Sequence, residues 1–174
     1  MASRNLRSTG RVALAAIAIA ATYLAATTGL RAEGLVIAVV VHPTNSVSQL
    51  SSAELCDTLQ GERTRWADGS LITVLVPPAD SPEWSVVVRA VCHTSVAGFR
   101  RQVATSRPFG RVSRPPQIVS SAAAMLKAVA GSPRAIGFVA APQVDGSVKV
   151  LAVDRKAPAD AAYPLKEAAK APAR

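Results

Sequence analysis

Two histidines, two cysteines, two tryptophans and a run of arginines are the side chains of this 174-residue chain with the most chemistry to offer. His42 and His93 are the groups that could move a proton or hold a metal. Trp66 and Trp84 could stack on a ligand. Cys56 and Cys92 could form a disulfide, and with only two Cys and two His a Cys/His zinc cluster is not expected. Arg100, Arg101, Arg107, Arg111 and Arg114 follow one another with no acid between them. Their first reading is a solvated face with a basic loop, and their second an anion or acidic-surface contact made by Arg107, Arg111 and Arg114. No Ser/His/Asp or paired-carboxylate arrangement, no phosphate loop and no Gly-x-Ser-x-Gly elbow is present. The reading is therefore of a protein with no catalytic residues, no metal and no cofactor.

The same residues have plainer roles. His42 sits where a strand leaves for a turn, and a capping or turn role is favoured for it. His93 follows Cys92 near a helix end, where an imidazole suits the dipole. Packing in a core or on a lobe surface is the preferred role for both tryptophans. A Cys56–Cys92 bridge is chemically allowed in an oxidising compartment, with a pair of buried thiols as the open alternative.

The elements that must position these groups begin after a targeting segment. Arg4, Arg7 and Arg11 precede Val12–Leu30, 19 residues without a charge, and Leu30-Arg31-Ala32 offers a small residue at a cleavage position. Residues 1–32 read as a secretory signal peptide, and secondarily as an inner-membrane anchor, since 19 apolar residues just suffice to span. Four of the 20 Lys+Arg fall there with no acid, leaving 16 against 11, a net charge of +5 in place of +9. Much of the headline charge thus belongs to targeting, and nucleic acid is not expected as a partner. The 49% hydrophobic content excludes a wholly disordered chain.

From residue 33 to 156 apolar strands alternate with helices. Leu35–Val41 and Leu71–Val76 are continuous apolar runs of the kind buried on both faces of a sheet. Between them Ser51-Ser52-Ala53-Glu54 is a capping box, Leu50 and Leu55 form a staple, and Gly61 ends a helix over 52–60. Pro77-Pro78 stops the second strand, and Ser81-Pro82-Glu83 starts a helix with an N-cap Ser and Pro at its first position. A further helix is expected over Ser95–Thr105, a basic loop over 106–116 and a short strand over Gln117–Val119. Ser120 or Ser121 then caps a helix lined by Ala122, Met125, Leu126 and Val129. Strands over Ala135–Ala140 and Val148–Val153 follow, and the Ala-, Pro- and Lys-rich tail, 157–174, is expected to fray. This order predicts an α/β fold, a mixed or parallel sheet with helices on both faces.

Four segments carry a resemblance. Val39-Val40-Val41-His42-Pro43-Thr44-Asn45 through Leu50-Ser51 resembles the "V-V-N-P-x-N-P-V-x-x-L-S/T" stretch of phosphate-type periplasmic solute-binding proteins. Glu54-Leu55 through Gly61, followed by Thr64-Arg65-Trp66, is similar to their "E-L-x-x-I-F-x-G-K-x-x-x-W". Ser132-Pro133-Arg134-Ala135-Ile136-Gly137-Phe138-Val139 resembles "N-P-G-A-I-G-Y-V", and Ala157-Pro158 with Tyr163-Pro164-Leu165 resembles the closing "P-x(n)-Y-P-L". The resemblance runs from about Val36 to Leu165 and implies one lobe of a type II periplasmic binding protein, entered at the crossover into the second lobe. It further implies an ABC transporter context, with membrane subunits as partners and a small anionic solute such as phosphate as ligand.

The family's second-lobe anion loop, "R-x-x-x-S-G-T", falls on Pro77, Ser81, Pro82 and Glu83. Ser81 is retained. Pro77 brings no guanidinium, Pro82 no N–H, and Glu83 adds a negative charge. Asp80 and Ser81 are the expected ligand contacts. Two functions follow: an exported, non-enzymatic solute-binding-type protein of the periplasm, or an envelope interaction module that keeps the fold and uses its Arg100–Arg114 segment on another envelope protein.

Overall fold

The structure, a computed structural model, describes residues 34–105 and 115–167. The expected signal segment, Arg107, Arg111 and Arg114, and the last residues of the tail lie outside them.

β1 (Ile37–Val41) is the apolar run IAVVV, and all five residues are buried. Its β-branched side chains suit a pleated strand covered on both faces. After it come β2 (Gln49–Leu50), α1 (Ser52–Gln60), β3 (Thr73–Val76), α2 (Pro82–Cys92), α3 (Val96–Thr105), β4 (Gln117–Ile118), α4 (Ala122–Ala130), β5 (Ala135–Ala140), a short 3₁₀ turn (Ala141–Gln143) and β6 (Lys149–Val153). The described strands form one mixed sheet in the order β2-β6-β1-β5-β3-β4. β1 runs antiparallel to both its neighbours, with Val39 opposite Phe138 of β5 and Leu151 of β6. β3 is parallel to β5 and to β4, and β2 is parallel to β6. The mixed α/β class expected from the sequence is the one observed.

The alternation of side chains splits the core in two. Ile37, Val39, Val41, Ile136, Phe138 and Leu151 meet Leu55 and Leu59 of α1, Trp84, Val87 and Val91 of α2, and Phe99 of α3. On the other face Ala38, Val40, Leu75, Ala135 and Val139 meet Met125, Leu126 and Val129 of α4. Gly137 lets α4 approach this face. A Cβ there would stand 2.9 Å from both Met125 Sδ and Val129 Cγ2. Cys56 of α1 and Cys92 of α2 are joined by a disulfide, their Cα atoms 5.2 Å apart.

The start of α1 is fixed twice. Ser51 Oγ accepts from Glu54 N–H at 3.2 Å, and Ser51 N–H donates to Glu54 Oε2 at 2.8 Å, completing the capping box. Arg63 donates to Glu54 Oε1 at 2.7 Å. From the end of β6, the Asp154 carboxylate accepts from Ser52 N–H and Oγ–H. The Ser51 backbone N–H above all holds the Glu54 carboxyl below its ordinary value, and the Ser52 hydroxyl and N–H do the same for Asp154. A carboxylate with a lowered native pKa stabilises the fold fully above its unfolded pKa and loses that contribution as pH falls toward the native one. Glu54→Gln keeps an acceptor for Ser51 N–H but removes the charge that this N–H and Arg63 favour, and therefore costs about 1 kcal/mol at neutral pH, the difference between charge-assisted and neutral hydrogen bonds. The difference from wild type shrinks as pH falls below the ordinary carboxylate range toward the lowered native pKa, where the wild-type carboxylate becomes protonated. Urea unfolding of both proteins across pH 3–7 checks this. A difference that does not change with pH would contradict it.

Several expectations need correction. The first strand starts at Ile37, with Val36 making only an isolated bridge to Lys166. Leu71 is partly exposed, and the next strand starts at Thr73. Gln49–Leu50, where the sequence predicts only the staple residue Leu50, is a short strand, because its partner β6 lies about a hundred residues on. The chain does not fray through 157–167: Tyr163 is 3% exposed and Leu165 is fully buried. Tyr163 Oη donates to Ile37 C=O at 3.0 Å, and Ile37 N–H donates to Leu165 C=O at 2.9 Å. Burial raises the Tyr163 phenol well above its ordinary pKa, so it stays a neutral donor.

Candidate functional site

β3, β4 and β5 run in one direction, so their C-terminal ends share one edge of the sheet. Each leads into a helical start: β3 through Pro77–Ser81 into α2, β4 through Val119–Ser121 into α4, and β5 into the 3₁₀ turn. In open α/β sheets the crevice beyond the strand C-termini is where ligands bind. Here these segments enclose a cleft of about 350 Å³. Its apolar wall includes Met125, Phe138 and Val139, and its polar groups are Ser81, Glu83, Ser120, Ser121 and Gln143.

Local sequence explains how the polar groups come to the rim. Pro77 and Pro78 end β3, and Ser81 N–H closes the turn on Pro78 C=O at 3.0 Å. Ser81 Oγ accepts from Trp84 N–H at 3.1 Å, and Pro82 occupies the first helical position. On the facing side, Ser121 Oγ accepts from Ala124 N–H at 3.3 Å. Each capping hydroxyl still has its O–H to donate. Two helix N-termini thus meet the same cleft and favour negative charge there. The cationic part is lacking. Glu83 is the one ionisable side chain among the described lining residues, and none of these is Lys or Arg.

The other singled-out residues lie elsewhere. Asp80 is exposed on the turn and does not line the cleft, whereas Ser81 does. His42 serves its turn: Nδ1 accepts from Thr44 N–H at 3.1 Å. Trp66 is buried and donates Nε1–H to Arg134 C=O at 3.1 Å. Trp84 is buried edge-on to Phe99, ring centres 5.7 Å apart. No group of three or more potential metal ligands occurs among the described residues. Ser120, Ser121 and Gln143 were not among the expected contacts. The signal for the serine pair was present, since a capping Ser directly after a parallel strand is the arrangement that marked Ser81.

This fold, a mixed sheet flanked by helices, is similar to that of solved phosphate-binding proteins, and the chain matches a single lobe of such a protein. It superposes on an ABC-type phosphate transport receptor from Vibrio cholerae with a TM-score of 0.59 at 22% identity, over 72% of this chain and 49% of that one. A phosphate ABC transporter substrate-binding protein from Clostridium perfringens, solved with bound phosphate, gives 0.57 at 21% identity, over 72% and 48%. PstS from Borrelia burgdorferi gives 0.57 at 12% identity, over 72% and 50%. The chain thus spans about half the length of the structures it matches. No family model matches the sequence, and no curated protein matches it. Among the described residues no helix is long and apolar enough to cross a membrane.

Proposed function

We propose that this is an exported, non-enzymatic solute-binding-type protein that holds a small oxyanion in the cleft beyond β3, β4 and β5. The observation that carries this reading is the convergence of two Ser-capped helix N-termini on one cleft, in a fold whose matched structures are phosphate transport receptors. The chain's own contribution is hydrogen bonding. The hydroxyls of Ser81, Ser120 and Ser121 and the first free amides of α4 donate to the ligand, and the helix dipoles favour its charge. Export rests on the basic, apolar and small-residue order of residues 1–32. ABC transporter membrane subunits would be the partners of such a receptor.

One observation favours a second reading. A carboxylate, Glu83, and no described cation face the cleft, which suits an envelope interaction module that has lost the ligand. Two substitutions separate the readings. Glu83→Thr removes the repulsive charge and tightens phosphate binding several-fold. Ser81→Ala weakens it by about 1 kcal/mol, the worth of one neutral hydroxyl bond. Calorimetric titration of inorganic phosphate reads both. If neither substitution changes the affinity, the cleft is not the site.

A further inference from the structure

At the opposite end of α2 from the cleft, the turn into α3 forms a second concavity. Ser85, Arg89 and His93 line it from one face of α2, spaced four residues apart, and Thr94, Ser95, Val96 and Ala97 line it from the start of α3. Positive and hydrogen-bond-donating groups converge here as they do not in the cleft. Arg89 supplies a guanidinium, His93 an imidazole, and Ser85, Thr94 and Ser95 three hydroxyls. Ser95 caps α3, its Oγ accepting from Gly98 N–H at 3.1 Å and its C=O from Phe99 N–H at 2.8 Å. The N–H groups of Val96 and Ala97, one turn too early for a partner within the helix, face the first turn's open end.

Two further observations single out this pocket. A carboxylate already approaches its guanidinium: Glu167 Oε1 stands 3.6 Å from Arg89 Nη1. That is well beyond a charge-assisted hydrogen bond, and both side chains are largely exposed, so Arg89 is free to exchange this partner for another anion. The second is His93 itself. It ends α2 in the left-handed conformation at φ 52°, a position that ordinarily favours Gly. The left-handed residue turns the chain so that the imidazole and the α3 amides border one pocket.

We propose that the α2–α3 turn is a second oxyanion site, separate from the cleft, which takes a phosphate group between Arg89, His93 and the first amides of α3. Arg89 pairs with two of the anion's oxygens, His93 and the Ser95 hydroxyl donate to it, and the dipole of α3 adds to the attraction. Glu167 is the intramolecular competitor that the anion displaces. The eleven residues of α2 put this site about 16 Å from the Ser81 cap, so the two sites report independently.

The test is titration of inorganic phosphate into the ¹⁵N-labelled purified protein, followed by amide shifts. The expected result is saturable movement of the Val96 and Ala97 amides. Arg89→Gln weakens it about tenfold, as loss of a charge-assisted bidentate pair does, and Glu167→Gln strengthens it by releasing Arg89. His93→Gly separates binding from folding: it relieves the left-handed backbone, so stability holds or rises while binding at this site falls. Movement confined to Glu83, Ala122 and Ala123 would overturn this site and support the cleft alone. Val96 and Ala97 shifts unchanged by Arg89→Gln and His93→Gly would overturn it as well. No movement at any amide would overturn both sites.

Discussion

Replacing both Cys56 and Cys92 by Ser lowers stability by about 3–4 kcal/mol. The bridge closes a loop with a sequence separation of 36, and the loop-closure entropy it removes from the unfolded chain is of that size. The Cα separation of 5.2 Å lies within the range an unstrained bridge needs. The bond ties α1 to the C-terminal end of α2, the helix whose other end carries Ser81. Its loss therefore loosens the element that positions one wall of the cleft. Denaturant unfolding of the double-Ser protein reads the cost, and wild type in excess dithiothreitol should lose the same amount. Two labelled thiols in the unfolded, unreduced wild-type protein would show that no bridge exists.

Leu165→Ala costs about 2–5 kcal/mol, the range for truncating a fully buried leucine in a packed core. The effect is large because the 157–167 segment is part of the fold. Leu165 and Tyr163 sit in the same cluster as Ile37, Leu151 and Val153, and the backbone is held by Ile37 N–H to Leu165 C=O and Glu167 N–H to Leu35 C=O. Tyr163→Phe is the milder companion. It leaves the Ile37 carbonyl without its side-chain donor and costs about 1 kcal/mol. Urea midpoints measure both. A Leu165→Ala protein within 0.5 kcal/mol of wild type would mean that the segment is not docked.

Which features were legible in the sequence follows from how far apart their partners lie. The capping box at Ser51–Glu54, the Gly61 stop and the cap at Ser81 are written within four residues of themselves and stand where the sequence predicts them, and of the two serines that could cap α4 it is Ser121 that does so. Continuous apolar runs marked β1, β3 and β5 because both faces of the sheet are covered. The β2–β6 pairing, Asp154 on Ser52 and Tyr163 on Ile37 join residues roughly a hundred or more positions apart, and no local pattern announces them. The cleft was half legible for the same reason. Ser81 announced itself by its cap and its Pro, but only the parallel pairing of β3 with β4 and β5 brings Ser120, Ser121 and Gln143 to the same rim.

Calorimetric titration of inorganic phosphate into Arg89→Gln protein, in which the α2–α3 pocket is weakened about tenfold, tests the central claim most directly. The cleft reading predicts saturable one-site heat that sharpens to tighter binding when Glu83→Thr is added. No heat in either protein would contradict oxyanion binding in the cleft and leave the interaction-module reading in its place.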